Sequence, residues 1–153
     1  MKFYKYSHCA GDKSVPKGHQ KDIETAIAAI AVKPAEGAAT KMRDAFLASM
    51  KSLGWSGEVQ VSRGSDMTIT SSKDGVGLCL QTGNVARIYA DIIKLQVLYF
   101  DNAIGSAAIV VPSQDVARVM GKNIAQAKRL ERELEIFKKA YHVPTLVYAL
   151  ESA

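Results

Sequence analysis

A chain of 153 residues, 48% of them hydrophobic, can bury one core without metals or disulfide staples, so a single soluble α/β domain spanning 1–153 is expected. Cys9 and Cys79 are far apart and lack CxxC or Cys/His ligand spacing, which argues against a disulfide framework or zinc site and for a reducing, cytoplasmic compartment. The formal net charge of +5 favours a polyanionic partner through counterion release, while the charged, aromatic start of the chain offers no apolar stretch for export or a membrane span.

Residues 1–21 read as a basic leader: Lys2, Lys5, Lys13, Lys17 and Lys21 face only Asp12, with Phe3, Tyr4 and Tyr6 interleaved. Such a segment is either a nucleic-acid-binding arm or a solvated run whose aromatics dock on the core. Asp22 to Val32 is expected to be helical up to Lys33 and Pro34. A second helix is predicted from Ala38 to Leu53, where Met42, Phe46, Leu47, Met50 and Leu53 recur at helical spacing before Gly54. Alternation then predicts strands at Glu58 to Ser62 and Asp66 to Ser71, followed by a hairpin at Asp74-Gly75 leading into a strand at Val76 to Thr82.

A two-residue hairpin loop sets the register. Lys73 falls opposite Val76, Thr70 opposite Cys79, Ile69 opposite Leu80 and Thr68 opposite Gln81. One face is then expected to carry Met67, Ile69, Val76, Leu78 and Leu80, and the other Asp66, Thr68, Thr70, Ser72, Gly77, Cys79 and Gln81. From Gly83 and Asn84 a helix is expected to run to about Phe100, apolar almost all round and therefore buried, with Asn84, Arg87, Asp91 and Lys94 as its one polar stripe. That stripe is spaced to face phosphates or a reaction site, and equally to form ordinary intrahelical ion pairs. Ala107 to Val111 reads as an inner strand, Gln114 to Met120 and Asn123 to Tyr141 as helices, and Thr145 to Leu150 as the last strand. In the last helix Ile124, Ala127, Leu130, Leu134 and Phe137 form the buried stripe, and its mixed charges read as a solvated face.

This order, with the segment GVGLCLQTGNVARIYADIIKLQVLYF at Gly75 to Phe100, resembles the BglII and BamHI type of restriction endonuclease within the PD-(D/E)XK nuclease superfamily. The resemblance implies a restriction-endonuclease-like fold, a small mixed central sheet made of a three-stranded meander plus two further strands, flanked by helices. It also implies double-stranded DNA as partner and a homodimer. Gln81 matches the family's Gln or Lys, Gly83 and Asn84 its turn, and Arg87, Asp91, Lys94 and Gln96 its helix. The two acids implied to hold a divalent cation are replaced, by Thr70 and Cys79. A hydroxyl and a soft thiol serve Mg²⁺ poorly, so a degenerate metal site is expected.

The expected function is a DNA-binding or DNA-associated protein linked to defence or mobile DNA, with no cofactor. Phosphate contacts would come from Asn84, Arg87, Lys94, Lys13 and Lys17. One alternative is an active Mg-dependent endonuclease with a rearranged site built from Asp66, Gln81, Asp91 and Lys94, although Asp66 also suits a simple turn after Gly64 and Ser65. Another is a non-catalytic partner subunit of a nuclease. Cys79 reads as a small buried strand residue, and His8 with Cys9 makes no metal site by itself.

Overall fold

In the computed structural model, which describes residues 1–153, the apolar run AAIVV becomes the centre of a five-stranded sheet. The elements in chain order are β1 (Lys2–His8), α1 (Gly11–Ser14), α2 (Lys17–Ala28), α3 (Ala39–Ser52), β2 (Val59–Gln60), β3 (Thr68–Ile69), β4 (Ser71–Lys73) and β5 (Val76–Leu80). They continue as α4 (Arg87–Phe100), β6 (Ser106–Pro112), α5 (Gln114–Met120), α6 (Ala127–Phe137) and β7 (Thr145–Glu151). The main sheet has the order β1-β7-β6-β5-β4; β5, β6 and β7 are parallel, and β1 and β4 run antiparallel at the two edges. No helix is long and apolar enough to cross a membrane.

Both faces of β6 are buried, as an unbroken apolar strand requires. Ala108 and Val110 join a core built with Ile23 and Ile27 of α2, Phe46 and Met50 of α3, and Met120 of α5. Ala107, Ile109 and Val111 join a second core with Ile92 and Leu95 of α4 and Leu130 and Leu134 of α6. The molecule is therefore three layers, helix, mixed sheet and helix, as the restriction-endonuclease-like expectation required.

The expected basic leader is instead edge strand β1, and α2 begins at Lys17 rather than Asp22. Its sequence KFYKYSH alternates: Phe3 packs on one core, edge-on to Tyr148, while Tyr4 and Tyr6 pack on the other. A period of two hides in a run that looks merely basic. Lys5 is consumed within the fold, pairing with Glu24 at 2.9 Å.

The three-stranded meander also needs correction. β2 and β3 form a separate two-stranded sheet, pairing Val59 with Ile69 and Gln60 with Thr68, and the strand predicted over Asp66 to Ser71 breaks at Thr70. The hairpin itself is as expected: Lys73 pairs with Val76, and Asp74 (φ 45) and Gly75 (φ 76) supply the two positive φ angles. The β4–β5 ladder stops at Ser71 opposite Leu78, so Ile69 turns away from Leu80 and packs in the core that holds Cys79. The face expected to be polar is largely covered by α4: Gly77 is buried where a Cβ would lie 3.0 Å from Leu95 Cδ2, and Cys79 is 1% exposed.

Two helices, α4 and α6, begin later than their apolar periodicity suggests. Asn84 and Ile124, each expected inside a helix, form an isolated antiparallel bridge, and Val85 N donates to Asn123 O at 2.7 Å. α6 starts only where the Gln126 side chain accepts from Arg129 N. α4 is not buried all round, because Ile93, Val97 and Phe100 are exposed.

Candidate functional site

Where β4 has ended and β5 runs one turn further, the outward N–H and C=O of Leu80 have no neighbouring strand. Two side chains take their place: Leu80 N donates to Thr70 Oγ1 at 3.0 Å, and Arg43 Nη1 of α3 donates to Leu80 O at 3.3 Å. This draws the Thr70 hydroxyl and a guanidinium to the C-terminal end of the parallel strands, at the mouth of a cleft of about 360 Å³.

The floor of the cleft is a polar network. Gln81 Nε2 donates to Asp91 Oδ2 at 2.8 Å, and Gln81 Oε1 accepts from Gly83 N at 3.2 Å, so both ends of the amide are committed. Lys94 Nζ stands 4.0 Å from Asp91 Oδ1, one turn along α4. Burial raises the Asp91 pKa from its ordinary value; the Gln81 hydrogen bond and the charges of Lys94, Arg43 and Arg87 pull against it without cancelling it. Arg43, Arg87 and Lys94 all line the cleft, with Glu58 and Asp91 as its only carboxylates and Thr40, Thr68, Thr70 and Thr82 as hydroxyls.

Of the residues singled out from sequence, the fold brings Thr70, Gln81, Arg87, Asp91 and Lys94 together. Cys79 is not among the lining side chains; it is fully buried beneath α4, and burial, followed by the negative charge of Asp91, pushes its thiol pKa well up. Asp66 is exposed in the β2–β3 turn and takes no part in the cleft, and Asn84 uses its side-chain oxygen to accept from Ala86 N at 2.8 Å. Lys13 in α1 and Lys17 at the start of α2 are exposed, and Gly11 of α1 abuts Thr145 at the start of β7, so they lie at the other end of the parallel strands from the cleft. Arg43, Glu58, Thr40 and Thr82 escaped sequence reading. Thr40 and Arg43 come from α3, Glu58 from the residue before β2 and Thr82 from the turn after β5, and none carries a local motif.

A magnesium ion needs several oxygen ligands, chiefly carboxylates. Here Asp91 already accepts from Gln81, the Thr70 oxygen already accepts from a backbone N–H, and three cations share the space with Glu58. No group of three or more His, Cys, Asp or Glu is placed to hold a metal ion. The donor set does not fit the divalent ion that the resemblance implied.

The family model described as restriction endonuclease BglII/BglIII matches residues 3–150. Among solved structures, restriction endonuclease BglII complexed with a DNA 16-mer superimposes with a TM-score of 0.88 at 12% identity, covering 100% of this chain and 79% of that one. Free BglII superimposes with a TM-score of 0.74 at 13% identity, covering 100% of this chain and 81% of that one. Comparison with curated proteins returns no match.

Proposed function

Because the chain belongs to the BglII/BglIII restriction endonuclease family, we propose that it binds duplex DNA with the fold of that family but does not cut it by metal chemistry, acting in a cytoplasmic setting of defence or mobile DNA. The observation that carries the reading is the donor set: three cations and four hydroxyls outnumber two carboxylates, one of them tied to Gln81, and the two positions where the resemblance asks for acids hold Thr70 and a Cys79 withdrawn into the core. Support for the ligand comes from the related endonuclease, which holds a DNA 16-mer. Arg87 and Lys94, with Asn84 in the adjoining turn, would carry phosphate contacts; Lys13 and Lys17, at the far end of the sheet, would not share them.

The test is an electrophoretic shift with mixed-sequence duplex in EDTA, followed by plasmid digestion with Mg²⁺ and then Mn²⁺. The expected result is a complex that weakens steeply with salt, no nicking, and a salt slope shallower by about 1 in Arg87→Gln. Absence of any complex at low salt, or nicked plasmid with either metal, overturns the reading.

A homodimer is the second part of the proposal. Ile93, Val97 and Phe100 leave an apolar strip on α4, which with Phe137 and Ala140 borders a hollow of about 330 Å³. The same strip would serve if the chain were instead the non-catalytic partner subunit of a nuclease. An active enzyme using Asp66, Gln81, Asp91 and Lys94 is disfavoured, since Asp66 stands outside the cleft.

A further inference from the structure

We infer that the cleft is a metal-independent phosphate site, in which Arg43, Arg87 and Lys94 together with the threonine hydroxyls take an anion in the place where the resemblance expects a divalent ion. The inference rests on the reading that the cleft has lost its metal, and it goes further by naming what the cleft holds instead.

Three observations converge on an anion. Cations reach the space from two separate elements: Arg43 from α3, and Arg87 and Lys94 from α4. Their convergence on one cleft would be costly for a bound cation and favourable for a phosphate, which guanidinium groups grip through paired N–H donors. Of the two acids, Asp91 is held in the floor by Gln81 and Lys94, while Glu58 is exposed.

The hydroxyls are set to donate. Thr70 Oγ1 accepts from Leu80 N, which leaves its own O–H proton free for a partner in the cleft. Thr82 is 6% exposed, lines the same space, and its hydroxyl makes no hydrogen bond within the protein. Its oxygen is not sealed off from solvent, so an anion in the cleft can accept the O–H proton. Gly83 keeps the approach open: a Cβ there would stand 3.2 Å from Gln81 Oε1 and 3.7 Å from Arg87 Nη1.

Isothermal titration calorimetry in EDTA, with inorganic phosphate and separately with a dinucleotide carrying one phosphodiester, tests this. Binding of either supports the inference, and the tighter of the two identifies the form recognised. Affinity is expected to fall at least tenfold in Arg43→Gln and in Lys94→Gln, several-fold in Thr82→Val, and to be unchanged in Lys51→Gln. Because Arg43 also holds the Leu80 carbonyl, Lys94→Gln decides the matter if Arg43→Gln does not fold. Binding of neither ligand, binding that requires added Mg²⁺, or full affinity in Lys94→Gln overturns it. Duplex shifts on the same samples separate the two readings. A duplex complex without uptake of either small ligand removes this inference and spares the DNA-binding one, whereas uptake without a duplex complex does the reverse.

Discussion

Asp91 is a carboxylate kept in the floor of a cleft by one amide and one ammonium, and its charge works against the fold. Its folded pKa is above the unfolded one, so between those two values the native state binds more protons than the unfolded state, and stability falls as pH rises through the window. Below the ordinary carboxylate range the penalty is absent; above the folded pKa it is complete. Asn at this position keeps an oxygen for Gln81 Nε2 and carries no charge. Asp91→Asn is therefore expected to melt higher than the parent at pH 7 to 8, by about 2–4 °C per kcal/mol recovered, with the gain vanishing toward pH 4. Thermal melts across that range check it, and a lower melting temperature at neutral pH would show that Lys94 needs the charge. Asp91 and Lys94 could be read as one helical stripe from their spacing, and the resemblance set Gln81 beside them; the burial of Cys79 was expected from its residue type, but the face it turns to was decided by where α4 packs.

At the scale of elements, close approach rather than propensity controls the N-terminal segment. A Cβ on Gly11 would fall 2.2 Å from the backbone C and O of Thr145, and backbone at the start of an inner strand has nowhere to move. Gly18, inside α2, has nothing within 4 Å of its would-be Cβ. Gly11→Ala is expected to cost about 3 kcal/mol, while Gly18→Ala should add about 0.5–1 kcal/mol by helix propensity. Urea denaturation distinguishes them, and equal effects of the two substitutions would refute the packing account of α1. Nothing in the local sequence marks Gly11 as the constrained one. The break at Thr70 is of the same kind: alternation from Asp66 to Ser71 is consistent with one strand, and only competition between the small sheet and the main sheet splits it.

For the whole molecule, the apolar strip on α4 is the surface feature that the two cores leave unexplained, since Ile93 and Phe100 are 64% and 67% exposed. If it is covered by a second copy, the protein elutes as a dimer, and Ile93→Asp or Val97→Asp yields a folded monomer with unchanged far-ultraviolet circular dichroism. Light scattering reads this directly, and a monomeric parent protein would remove the homodimer from the proposal. Periodicity and turn chemistry by themselves determined α3, α5, the Asp74-Gly75 hairpin with its register, and the buried strands β6 and β7, because each is dictated by contacts within a few residues or by an apolar run with one tolerable environment. Helical spacing also put Arg87, Asp91 and Lys94 on one stripe, while the resemblance set Gln81 beside them. The tertiary structure alone decided that the basic start of the chain is an edge strand, that Arg43 and Thr82 enter the cleft, and that Cys79 faces the core. Those outcomes depend on which segments distant in sequence satisfy one another's backbone groups and fill one another's space, and no single stretch of sequence carries that information.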